Sequence, residues 1–168
     1  MLAKKLSKEG LEVNKAFKVY INKVDKAKST YFSEKEVTFK DIISDRLLVT
    51  RLIHNCIPYS LFAKIVKHTP FSIQDWASYL DLSLKSLQRY KTIKNYSFKP
   101  IHSEKIIELY EVTRLGKEIF DTAKQFKLWL ETPNFALGKL YPKELLKDSY
   151  GKALVIEELH RIDHGIFV

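Results

Sequence analysis

Glycine and proline are scarce in this chain, with five of each in 168 residues. A sheet protein needs more turn residues than that, so the shortage favours helix. The single cysteine, Cys56, excludes an intrachain disulfide framework and any CxxC pair, and it fits a reducing cytosol. Between Asn55 and Ile57-Pro58, its expected role is a small buried apolar residue rather than a nucleophile. No uncharged run approaches about 18 residues, so no segment is predicted to span a membrane. The first ten residues, MLAKKLSKEG, lack the apolar core of a signal peptide. The chain also lacks a glycine-rich phosphate loop and any Ser, Cys or His constellation of catalytic type, so no catalytic residue is assigned.

What is abundant is positive charge. Twenty-nine lysines and arginines against 20 acids give a formal net charge of +9. An excess of this size points to nucleic acid first, then to an acidic protein or a membrane surface. With 45% hydrophobic residues, the chain can bury a sizeable core.

Residues 1–36 are lysine-rich with thinly spread apolar positions. They read as a basic N-terminal extension, with mobility and short helix or strand both left open. From Phe39 a helix-like pattern runs through Ile42, Ile43, Leu47 and Ile53, with Thr38 placed to cap it. Ile57-Pro58 interrupts that pattern, and Pro58 is expected at the first position of the next helix. Leu61, Phe62, Ile65 and Val66 form the apolar face of this next helix. After Pro100, Ser103 is expected to cap a long helix that Gly116 divides, and the second piece ends before Pro133.

The segment Phe71–Tyr90 carries a more specific pattern. Ser72 with Asp75 forms a capping box for one helix, and Ser83 is placed to cap a second. Ala77 is small on a bulky face, and Asp81 sits where a tight turn needs positive φ. Leu87 and Tyr90 are apolar anchors. These offsets match a helix-turn-helix of the Xre type. From Leu84 to Lys99 no acid occurs. Ser86, Gln88 and Arg89 are suited to reading base edges; Ser83, Lys85, Lys91 and Lys94 complete the candidate DNA-binding set. Such a second helix would lie in a major groove.

The stretch from Phe126 onward concentrates three of the five glycines and two of the five prolines. Phe135 and Leu137 are expected to pack down from a loop in which Asn134 and Gly138 supply turn chemistry. Pro142 opens a short helix. After a turn over residues 148–151, a final helix holds Val155, Leu159 and Ile162 in register. Glu157 and Arg161 are spaced as an i,i+4 pair, and Gly165 sits as a C′ residue. Three apolar residues follow it. His160 and His164 have ligand spacing but no third partner, so no metal is assigned. Trp129 reads as scaffold.

Three strings in this region act together: Phe-x-x-Trp-Leu-x-Thr-Pro-Asn-x-Ala-Leu-Gly, Pro-x-Glu-Leu-Leu, and Gly-x-x-x-Val-x-x-x-Leu-x-Arg-Ile-x-His-Gly. They resemble the toxin-binding domain of the Xre/MbcA/ParS antitoxin family over about residues 115–168. Lys139 departs from the family, which commonly has a second glycine there, and Asp81 departs in the turn. The resemblance implies an all-α chain: a helix-turn-helix DNA-binding domain over 37–114 and a small helical toxin-binding domain over 115–168. It implies a non-enzymatic antitoxin, dimeric and cytoplasmic, without a cofactor. Its partner would be a RES-domain toxin that resembles ADP-ribosyltransferases and depletes NAD, and it would also repress its own operon. Within it, Arg161, His164, Gly165, Ile166, Phe167 and Val168 are the candidate toxin contacts, closing the toxin's NAD site. The competing reading is a stand-alone helix-turn-helix regulator with no toxin.

Overall fold

The computed structural model describes residues 8–25 and 38–165. Among them are ten helices and no sheet: α1 (Lys8–Val24), α2 (Phe39–Ser44), α3 (Arg46–His54), α4 (Tyr59–His68), α5 (Ile73–Tyr79), α6 (Leu84–Tyr90), α7 (Pro100–Ile119), α8 (Ala123–Leu130), α9 (Pro142–Leu145) and α10 (Ser149–Asp163). The chain forms two compact units. The first runs to Thr69 and resumes over Ser83–Ile106; the second comprises Pro70–Leu82 and the chain from Ile107 onward. This division differs from the boundary expected at residue 114. It puts α5 and α6, the two helices of the helix-turn-helix, in different units.

In the first unit, α1 packs on α4 and α3. The segment read as a basic extension therefore contributes core: Val13, Phe17 and Ile21 are buried on one face of α1. Tyr20 donates a hydrogen bond to the Leu52 carbonyl at 2.8 Å, and Asp25 pairs with Arg51. The helix expected from Phe39 to Ile53 is two helices. Asp45 leaves the helical region (φ −96, ψ 87), ends α2, and caps α3 by accepting from the Leu48 amide. Thr38 does cap α2, in a reciprocal box with Asp41. Pro58 is the N-cap of α4 rather than its first helical residue. Cys56 is half-buried at φ 64, not a fully buried apolar residue.

Ser103 does not cap α7; that helix already starts at Pro100. The Ser103 hydroxyl is buried, accepts from the Ile57 amide at 2.9 Å and donates to the Phe98 carbonyl at 3.1 Å. It satisfies two backbone groups that would otherwise lose their partners away from water. Around it Phe62 and Phe98 meet at 4.8 Å between ring centroids.

In the second unit, α9 packs on both α8 and α10. Gly116 does not divide α7, which continues to Ile119. Its missing side chain admits the Phe126 ring of α8 instead: a Cβ there would stand 2.2 Å from Cε2. Phe126 is fully buried, and burial of a side chain of this size contributes about 1.5–3 kcal/mol. Thr122 and Gln125 form the capping box of α8. Trp129 is half-buried and stacks on Phe126 with planes 18° apart.

Gly151 lies inside the first turn of α10 rather than in a turn before it, and Asp148 is the N-cap. A Cβ on Gly151 would lie 2.1 Å from the Leu145 carbonyl oxygen, a backbone atom that cannot swing aside. We expect Gly151→Ala to cost about 2–3 kcal/mol by overpacking. Chemical denaturation of the full chain checks this; an unchanged midpoint would contradict the packing described.

Candidate nucleic-acid and partner-binding faces

The turn between α5 and α6 forms as its residue types dictate. Ser72 accepts from the Asp75 amide, and the Asp75 carboxylate accepts from the Ser72 amide at 2.8 Å, which closes the capping box. Trp76, Ala77 and Tyr79 are buried. The Leu82 amide donates to the Ala77 carbonyl at 2.9 Å, and Asp81 leaves the helix at φ 51. Asp carries this left-handed conformation with less penalty than most residues.

Ser83 caps α6 by accepting from the Ser86 amide at 3.0 Å, and its hydroxyl donates to Ser86 Oγ at 2.8 Å. Leu87 is the fully buried anchor of this helix. Lys85, Gln88, Arg89, Lys91 and Lys94 are exposed, and Ser86 is half-buried. The candidate DNA-binding set therefore occupies the N-cap of α6, the helix itself and the turn after it, within one unit. Ser83 and Ser86 are partly committed to capping. Gln88 and Arg89 are unburdened by such bonds, although the Arg89 guanidinium lies 5.8 Å from the Tyr90 ring centroid. The backbone after α6 is pinned. Tyr90 and Tyr96 stack at 3.9 Å, the Tyr59 amide donates to the Tyr96 carbonyl at 2.8 Å, and Ser97 bridges Pro58.

The second unit presents a different face. Along α10, Val155 and Leu159 are buried, while Tyr150 is 88% exposed and Leu154 49%. Arg161, His164 and Gly165 are exposed at the helix end. Arg161 does not pair with Glu157. Its guanidinium lies 3.4 Å from Glu158, one turn back and largely buried. Gly165 has φ +70 and its amide donates to the Ile162 carbonyl at 3.0 Å, so it follows the C-cap His164 as expected. Ile166, Phe167 and Val168 lie outside the described residues.

The loop before α9 is a closed turn. The Asn134 side chain accepts from the Ala136 amide at 2.8 Å, and its backbone bridges Leu140. Leu137 packs inward, but Phe135 is 70% exposed, against the expectation for that residue. Lys139 holds φ 63, a conformation that glycine adopts without steric cost; the family's second glycine would sit here. Tyr150, Leu154 and Phe135 are exposed apolar side chains of this unit beyond the candidate toxin contacts, and Tyr150 and Leu154 are spaced i,i+4.

A cleft of about 380 Å³ opens in this unit between α5, the end of α8 and α9, and Tyr79, Leu130, Tyr141, Glu144 and Lys147 line it. Lys143 dominates its polar contacts. Its ammonium lies 2.9 Å from Asp75 and 3.5 Å from Glu131, and its carbonyl accepts from Tyr79 Oη at 2.9 Å. Burial opposes charge on Asp75, but hydrogen bonds from Lys143 and Ser72 outweigh it and hold the carboxyl below its ordinary 3.8. Burial likewise opposes charge on Lys143, and the hydrogen bond and charge of Asp75 raise it above 10.5. Among the described residues no group of three or more His, Cys, Asp or Glu side chains is placed to hold a metal, and no helix is long and apolar enough to cross a membrane.

The lowered Asp75 pKa means its contribution is complete above pH 3.8 and is lost as pH falls through its folded value. The raised Lys143 pKa means its contribution is complete below pH 10.5 and is lost as pH rises through its folded value. Lys143→Met should therefore cost about 1–2 kcal/mol at neutral pH, discounted for partial exposure. Denaturation measured across pH should show the difference from the parent shrinking toward strong acid; a constant difference would contradict the ion pair.

With this geometry in hand, the comparisons with known proteins are specific. Residues 115–165 match the family described as the antitoxin Xre/MbcA/ParS C-terminal toxin-binding domain. No curated protein matches the sequence. Among solved structures, the chain is similar to one in the crystal structure of the M. tuberculosis MbcT-MbcA toxin-antitoxin complex, at 18% identity and a TM-score of 0.50. The similarity covers 64% of this chain and 94% of that one, and it bears on the fold. The match falls on α8–α10 and the end of α7, the module whose turns, caps and close approaches are described above. The similarity to the Xre/MbcA/ParS C-terminal toxin-binding family therefore rests on residues 115–165.

Proposed function

We propose that this chain is the non-enzymatic antitoxin of a toxin-antitoxin pair, and that its C-terminal module binds the toxin. The observation that carries this reading is the family match over 115–165, on a module that leaves apolar and basic side chains unburied along α10. The partner is a RES-domain toxin. Arg161, His164, Gly165 and the three residues after it close the toxin's NAD site, so that inhibition is occlusion rather than chemistry. At an interface, arginine and aromatic side chains carry most of the binding energy, which favours Arg161 and Phe167 as anchors.

The same chain acts as an operon repressor. Gln88 and Arg89 read bases from a major groove, and Lys85, Lys91 and Lys94 hold phosphates. The support is local: α6 and its following turn expose cations, and residues 82–103 contain no acid. The working form is a cytoplasmic homodimer within a larger complex with toxin. The acid-free helix is the one observation that also fits a regulator without a toxin partner.

Co-expression with the adjacent reading frame, expected to encode a RES-type protein, tests the toxin reading. The full chain should restore growth, and deletion of residues 166–168 should leave its thermal melt unchanged while releasing toxicity. Full neutralisation by the truncated chain would remove the tail from the mechanism. On DNA, Arg89→Ala should relax preference at one base pair by about 1–3 kcal/mol. Lys91→Ala should instead weaken every duplex and flatten the salt dependence of binding by about 0.9 in log–log slope. Identical behaviour of the two variants in fluorescence anisotropy titrations would contradict this division of roles.

A further inference from the structure

The turn after α6 contains one apolar side chain that neither capping nor core packing uses. Ile93 is 45% exposed, with Lys91 and Thr92 before it and Lys94 and Asn95 after it, all four of them exposed. A lone exposed apolar residue is ordinary. This one differs in how firmly it is held. The Thr92 amide and hydroxyl both bond to the Arg89 carbonyl, at 3.0 and 2.8 Å. The Ile93 carbonyl accepts from the Tyr96 amide at 3.3 Å, and Asn95 closes the turn at φ 58. The stacked tyrosines, 3.9 Å apart, clamp its base. The turn is therefore a preformed, hydrogen-bonded projection with a β-branched residue at its centre and an ammonium on either side.

We infer that Ile93 is a DNA contact of its own kind, an apolar wedge against the deoxyribose wall between two phosphates held by Lys91 and Lys94. The occupant is a duplex backbone because the charge along the chain on both sides of Ile93 is of one sign: residues 82–103 contain no Asp or Glu. A deoxyribose ring is the apolar surface that lies between consecutive phosphates, and β-branching limits the rotamer entropy lost on contact. The inference rests on the reading of α6 as a DNA-binding helix and adds a component of affinity that salt does not screen. Lysine–phosphate contacts release counterions and give binding its salt slope; a buried apolar contact releases none.

The test uses the full chain and two labelled duplexes, the DNA upstream of its own reading frame and an unrelated sequence of equal length, titrated over a range of KCl. Ile93→Ser should weaken both about three- to tenfold at every salt concentration with an unchanged slope, as expected for part of one aliphatic side chain. Ile93→Val should recover most of the loss, and Lys94→Ala should reduce the slope by about 0.9. Failure of the parent chain to bind either duplex would sink the DNA-binding reading itself. Parent binding with an unaltered Ile93→Ser variant would overturn this proposal alone. A changed slope in Ile93→Ser, or a loss confined to the upstream DNA, would also overturn it, the latter in favour of a base contact.

Discussion

The Lys143 ammonium, shared between Asp75 and Glu131, is the interaction on which the C-terminal unit depends. It joins three helices by side chains far apart in sequence. Asp75 belongs to the capping box of α5, Glu131 ends α8, and Lys143 sits on α9, whose own packing reaches α10. Glu131 stays exposed, while the close ion pair of Lys143 with Asp75 offsets the cost of drawing those two charges partly out of water. The Tyr79 hydroxyl on the Lys143 carbonyl adds a neutral bond that pH does not touch near neutrality, since burial pushes that phenol above its ordinary range. The consequence is that α5 folds as part of the second unit, together with the residues that match the toxin-binding family.

That arrangement gives the two proposed binding faces different foundations. The helix proposed to read DNA, α6, is anchored by Leu87, by its Ser83 cap and by the aromatic cluster of Tyr90, Tyr96 and Phe98. The proposed partner-binding face rests on α10, held by Gly151 against the Leu145 carbonyl and by Val155 and Leu159 in the core. Lys139 sits in the tight turn before α9 with a positive φ, so a side chain occupies a place where glycine has no steric cost. The turn still closes, because Asn134 supplies both a side-chain and a backbone bond to it.

Local chemistry was legible in the sequence and long-range chemistry was not. Capping pairs three residues apart, Thr38 with Asp41 and Ser72 with Asp75, form as their types require. The same holds for Ser83, Pro142, Asp81 and Gly165, whose roles depend only on neighbours in the chain. Ser103 was misread because its hydroxyl serves Ile57, 46 residues away, and no local pattern encodes that. The core role of α1 was hidden by lysines interleaved with Val13, Phe17 and Ile21, which dilute the apolar signal without moving it off one face. Gly116 looked like a break because a glycine's reason is often a distant ring, here Phe126. Asp45 leaves no mark in the sequence pattern because its backbone departure is short and the apolar rhythm continues across it. Of the expected binding residues, those described lie exposed at the end of α10 or on α6 and its following turn, apart from half-buried Ser86.

One chain is proposed to hold a partner-binding face and a DNA-reading face that act on separate ligands. Size-exclusion chromatography with light scattering tests this most directly, on the chain co-expressed with the product of the adjacent reading frame and then mixed with upstream DNA. The account predicts one species containing both proteins, which shifts to larger mass when DNA is added. Two proteins eluting apart, or a complex that leaves the DNA free at low salt, would contradict it.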